Sequence, residues 1–115
     1  MIELRKVHGD NIPEIIEYLG MNEWAVRWDI SGYSQDNITG YEYCELKFNE
    51  EPTYDLFVAR LIRLKYTQDQ EDALKSNIVN QMVTGIITLE ITDEWREFQD
   101  YRTEAKTIGK GIFNN

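Results

Sequence analysis

The chain has 115 residues, enough for one domain and not comfortably for two. It is 42% hydrophobic and 12% aromatic, so a packed core is within reach, and its net charge of −9 disfavours binding to phosphate backbones. No apolar run approaches the roughly 20 residues of a membrane span, and the opening MIELRKVHGDNIPE lacks the apolar segment of a signal peptide. The expectation is a soluble protein, cytoplasmic in the cell that makes it. A single cysteine, Cys44, forbids an intrachain disulfide and fits a reducing compartment. Asn37-Ile38-Thr39 matches a glycosylation sequon, which without a secretion signal reads as loop chemistry.

In chain order, residues 2–7 alternate weakly, with Ile2 and Leu4 on one face, and read as a short strand. His8-Gly9-Asp10-Asn11 is turn chemistry. Asn11 can cap a short helix with Pro13 in its first turn, Ile12, Ile15, Ile16 and Leu19 on its apolar face, and Gly20 at its end. A strand over the same residues is the weaker option, because Pro13 cannot donate to a ladder. Residues 24–30, WAVRWDI, are the clearest strand, with Trp24, Val26, Trp28 and Ile30 on one face. The polar, glycine-bounded residues 31–40 read as a loop or long hairpin connection. Residues 41–48, YEYCELKF, form a second strand, inward on the Cys44, Leu46 and Phe48 side. Tyr41, Tyr43, Glu45 and Lys47 then face outward.

Thr53 caps a helix over about 53–66, with Asp55 in its first turn and Arg63 and Lys65 near its end, as the helix dipole favours. Phe57, Leu61 and Leu64, widened by Val58 and Ile62, form its apolar stripe, for which the tryptophan face of the hairpin is the obvious cover. Thr67 and Gln70 form a capping box opening a helix over about 68–84, with Ala73, Leu74, Ile78, Val79 and Met82 at helical spacing and Thr84-Gly85 at its end. Residues 86–91 fit either a short strand or an extended connector. Thr92 or Asp93 caps a last helix over about 93–108, carrying Trp95, Phe98, Arg102, Ala105 and Ile108, and Gly109 and Gly111 end it. The fold class is α+β: an antiparallel hairpin (about 24–30 and 41–48) packed against a helix, followed by two more helices. It is read as one small domain with a β-rich half, 1–52, and a helical half, 53–115.

No catalytic, cofactor-binding or metal-binding set assembles from these residues. The acidic cluster Asp69, Glu71 and Asp72 lacks the glycine of a calcium loop and is explained by its place at a helix start. His8 is the only histidine, so a Ser-His-Asp triad would depend on it. Gly109-Lys110-Gly111 lacks the spacing of a phosphate loop. Cys44, with no basic neighbour in sequence, reads as a small buried hydrophobe. Trp24, Trp28 and Trp95 sit on apolar stripes and read as core. Tyr33, Tyr41 and Tyr43 are the aromatics expected at the surface, so an interaction surface is expected there and along residues 31–40. The charge is uneven: residues 1–52 hold four Lys/Arg against eleven Asp/Glu, or −7, and residues 53–115 hold eight against ten, or −2. That asymmetry suits solubility, or an acidic surface that acts as a decoy for a basic, DNA-binding host protein.

The succession WAVRWDI, YEYCELKF and PTYDLFVARLI resembles the strand–strand–helix unit of small proteins encoded beside phage and prophage tail genes. LIRLKYTQDQEDALKSN and EWREFQDYRTEAKTI are similar to the helical C-terminal part of related proteins and, more loosely, to tail-fibre assembly proteins with "YR-x-x-x-K" endings. The chain departs from that pattern over residues 1–20 and 78–91. The resemblance implies a non-enzymatic, tail-associated or assembly-helper protein, with phage structural or assembly proteins as partners, no cofactor, and association with the virion. It implies no reaction.

Overall fold

The computed structural model describes residues 2–114. Four strands form one antiparallel sheet: β1 (Val7–Gly9), β2 (Ile16–Gly20), β3 (Glu23–Gln35) and β4 (Ile38–Phe48), in the order β1-β4-β3-β2. Three helices follow, α1 (Tyr54–Lys65), α2 (Gln68–Thr84) and α3 (Leu89–Phe113). The fold is therefore α+β, with a hairpin and helices. The chain divides into two compact units, one formed by the sheet segment Glu3–Thr53 and one by the helices from Tyr54 onward together with Ile2.

In the sheet unit, β3 and β4 are longer than the spacing of their apolar residues indicates. They run on through residues 31–40, and Gln35 pairs with Ile38 around a two-residue turn. Asp36 and Asn37 both have positive φ, 50° and 67°, the left-handed pair that matches the twist of a tight hairpin. A bulge between Trp28 and Ser31, with Asp29 at φ 55°, inserts one residue and shifts the register. The face shared by Trp24, Val26 and Trp28 therefore does not continue to Ile30. The helix expected over residues 11–19 is absent. Residues 16–20 are instead β2, joined to β3 by Met21 and Asn22, again both at positive φ. Pro13 lies outside the strand, so its missing N–H costs no ladder bond. Tyr18 then stands opposite Trp24 with ring centroids 5.0 Å apart, a cross-strand pair that a helix could not make. Residues 2–6 are not a strand either, and His8-Gly9 lies in β1 instead of forming a turn.

In the helical unit, the apolar stripe of α1 packs on α3. Phe57, Leu61, Phe98 and Ala105 are fully buried there. The Tyr101 hydroxyl donates to the Leu61 carbonyl at 2.7 Å, and Tyr66 meets the rings of Phe98 and Tyr101 edge-on. α2 has the bounds that its capping box and Gly85 predict. The Thr67 hydroxyl accepts from the Gln70 amide, Gln70 accepts from the Thr67 amide, and Gly85 closes the helix at φ 72°. α3 starts earlier and ends later than expected. Thr88 caps it, and it passes through both Gly109 and Gly111 to Phe113. Gly109 marks a close approach of helices: a Cβ there would stand 2.9 Å from Val58 Cγ2 and 3.0 Å from the Tyr54 ring, whereas one at Gly111 would meet nothing.

Two predictions follow from this packing. Gly109→Ala will destabilise the protein by about 1–3 kcal/mol through overpacking, while Gly111→Ala will stabilise it by up to about 0.5–1 kcal/mol through helix propensity; thermal unfolding of the two variants separates them. The second concerns Glu71, which accepts from Lys75 at 2.7 Å and from Arg63 at 3.1 Å. The Lys75 hydrogen bond, opposed by burial and joined by Arg63, holds its carboxyl below the ordinary value of 4.5. The folded state thus binds fewer protons than the unfolded one, so this contribution is present above pH 4.5 and is lost as pH falls through the folded value. Glu71→Gln will flatten the acid limb of the stability curve and lower neutral-pH stability by about 1–2 kcal/mol, measured by urea unfolding across that range.

Candidate interaction surface

Tyr33 and Tyr41 are half-buried and border a shallow groove of about 450 Å³ with Asp10, Gly32, Ser34, Thr39 and Gly40. The Tyr33 hydroxyl donates to Gln35 Oε1 at 2.7 Å, and its ring lies 4.4 Å from that of His8, which stands 3.4 Å from Glu42. Tyr43 does not join them. It is buried, opposite Val7 of β1, with the Arg27 guanidinium 5.8 Å from its ring centroid and its hydroxyl over the space that a side chain at Gly9 would fill. Both faces of β4 are therefore covered at this point, because Cys44, its neighbour on the other face, is buried as well. A single inward face was the wrong expectation for this strand.

Arg27 is held by both strands that neighbour β3. Arg27 donates to Glu17 of β2 at 2.7 Å, to Glu45 of β4 at 2.8 Å and to the Glu14 carbonyl at 3.3 Å. Burial works against its charge, but the hydrogen bonds it donates to the two carboxylates outweigh it, and its pKa is raised. Burial also pushes the Cys44 thiol up, with the charge of Asp29 acting in the same direction, which makes a thiolate scarce. Among the described residues every buried side-chain nitrogen or oxygen has a partner, and no group of three or more His, Cys, Asp or Glu is placed to hold a metal ion. Asp69, Glu71 and Asp72 do not converge: Glu71 turns to Arg63 and Lys75, and Asp72 accepts from Gln68.

The feature that sequence reasoning missed is the far end of α2 and its connection to α3. Val79, Met82, Val83, Ile86, Ile87 and Leu89 are all between 55% and 80% exposed. Of the residues read at helical spacing in α2, Leu74 and Ile78 are half-buried but Ala73, Val79 and Met82 are exposed, and the side chains that the helix buries outright are Glu71 and Gln81. Gln81 is the local organiser. Its Oε1 accepts from the Thr88 amide at 2.9 Å, and its Nε2 donates to Thr92 Oγ1 at 3.1 Å, which fastens the connection over residues 85–88 to the start of α3. With polar groups holding the inside of the turn, its aliphatic side chains are left outside. A signal was present: residues 76–89 contain no Asp, Glu, Lys or Arg in a chain that is 29% charged. A shallow groove of about 400 Å³ runs along α2 beside them, lined by Lys75, Ser76, Val79, Asn80 and Val83. No helix among the described residues is long and apolar enough to cross a membrane.

Comparisons with models of protein families, with curated proteins and with solved structures find no match. The functional reading therefore rests on this surface and on the residues that built it.

Cys44 supplies a test of the buried thiol. It will react with a thiol reagent such as Ellman's at least about tenfold more slowly in the native protein than in denaturant, followed by absorbance. Equal rates would show that the strand centre is open.

Proposed function

We propose that this is a non-enzymatic protein of phage or prophage origin, tail-associated or assisting tail assembly, that works through protein–protein contacts made by the exposed aliphatic end of α2 and α3. The observation that carries the reading is the six large aliphatic side chains of residues 79–89, more than half exposed and free of intervening charge. Contiguous apolar surface of this kind marks an interaction site in a folded protein. The setting comes from the resemblance of WAVRWDI, PTYDLFVARLI and EWREFQDYRTEAKTI to tail-neighbourhood proteins. In this reading the acidic half is a solvated surface and not a decoy for a DNA-binding protein: Glu17, Glu23, Asp29 and Glu45 are already paired with Arg27, Lys47 and Lys6.

The test is co-expression of the tagged full chain with the tail proteins encoded beside it, followed by affinity capture. Wild type will retain at least one of them, and Val83→Asp/Ile87→Asp will lower retention by at least about tenfold, the cost of burying an unpaired charge in an apolar contact. No retained tail protein, together with normal virions after deletion of the gene, would refute the proposal.

A further inference from the structure

The side chains that α2 buries outright lie towards its two ends. Glu71 ties its start to Arg63 of α1, and Gln81 ties its end to Thr88 and Thr92. Between these ties the helix offers a half-buried Leu74 and an exposed Ala73 and Asn77, too little bulk to fill the space beside α3. What remains is a cleft of about 370 Å³, bordered by Tyr66 in the link from α1 and by Glu94 and Glu97 on α3. That volume lies within the roughly 300–1,000 Å³ of small-molecule sites, and its mixture of an aromatic ring, an aliphatic side chain and a few polar groups is the usual lining of one.

The charges at the cleft choose the class of ligand. Lys65 reaches it but is already neutralised: its ammonium stands 3.4 Å from Glu97 and lies over the rings of Tyr66 and Tyr101, at 5.6 Å and 5.3 Å from their centroids. Asp93 has Arg96 at 3.6 Å. Glu94 pairs with no cation among the described residues. Its neighbours one turn away on the surface of α3 are Glu90 and Glu97, both carboxylates, and like charges at those spacings destabilise a helix. A cation set against Glu94 relieves that repulsion, and an anion adds to it. The net charge of −9 works in the same direction, concentrating cations at the surface and repelling anions.

We propose that the cleft between α2 and α3 binds a small organic amine, with its ammonium against Glu94 and its hydrocarbon body on Leu74 and Tyr66. This site uses a different part of α2 from the 79–89 contact surface and does not depend on it.

Titration of the isotope-labelled full chain with phenethylamine, followed by amide NMR, tests the proposal. Saturable shifts are expected at Tyr66, Leu74 and Asn77, half-complete at or below about 1 mM. Hydrocinnamate, which carries a carboxylate on the same hydrocarbon body, will bind at least about tenfold more weakly. Glu94→Gln will weaken phenethylamine about threefold, yet raise the thermal midpoint of the free protein by roughly 1–4 °C, because it removes two like-charge contacts. Lost binding coupled to gained stability is a signature that a merely structural carboxylate would not give. Ala73→Phe, at an exposed helix position, will fill the cleft and abolish the saturable shifts while circular dichroism stays that of wild type. No saturable shift up to about 10 mM phenethylamine overturns the proposal. So do shifts centred elsewhere, equal binding of hydrocinnamate, and binding indifferent to Glu94→Gln or to Ala73→Phe.

Discussion

The side chains that α2 buries most deeply are polar, Glu71 at its start and Gln81 near its end, with Leu74 and Ile78 half-buried between them, and the character of the protein's surface depends on that. A surface helix usually turns an apolar stripe inward and leaves polar residues outside. Here the inward positions are held by an ion cluster with Arg63 and Lys75 at one end and by amide hydrogen bonds to Thr88 and Thr92 at the other. The inside of the turn after Ile78 is thereby filled with hydrogen-bonding groups, and the aliphatic residues from Val79 to Leu89 are left outside. Exposure of Val79, Val83, Ile86 and Ile87 is thus built into the way the hairpin closes. α1 and α3 meet instead through Phe57, Leu61, Phe98 and Ala105, all but fully buried, with the Tyr101 hydroxyl donating to the Leu61 carbonyl.

The sheet unit uses polar clamping for a different end. Arg27 reaches Glu17 on one neighbouring strand and Glu45 on the other. Burying Arg27 and Glu45, while Glu17 stays 38% exposed, costs free energy that their attraction only partly returns, so the cluster is a weak source of stability. Its geometric effect is firmer. A one-residue slip of β2 or β4 against β3 would turn the carboxylate to the opposite face and leave Arg27 unpaired. That matters in a sheet where both hairpin turns are made by non-glycine residues at positive φ and where β3 carries a bulge at Asp29. The ion triad and the Tyr18–Trp24 pair lie on opposite faces of the same strands and fix one register between them.

How much of this could be read from sequence divides along physical lines. Signals that act locally are readable: the Thr67–Gln70 capping box and Gly85 gave α2 its bounds, and alternation located the centres of β3 and β4. What was hidden depends on partners distant in sequence. Ile15, Ile16 and Leu19 have helical spacing, yet the ladder with β3 and the ring of Trp24 win over local preference. Asp36-Asn37 fell inside a polar, glycine-bounded stretch read as a loop or long hairpin connection, although both residues tolerate the left-handed region that a two-residue turn needs. Gly109 looked like a helix stop, and only the closeness of Val58 and Tyr54 reveals that it is a contact point. Of the expected surface tyrosines, Tyr33 and Tyr41 share a groove, and Tyr43 is buried because an added strand, β1, covers its side of β4.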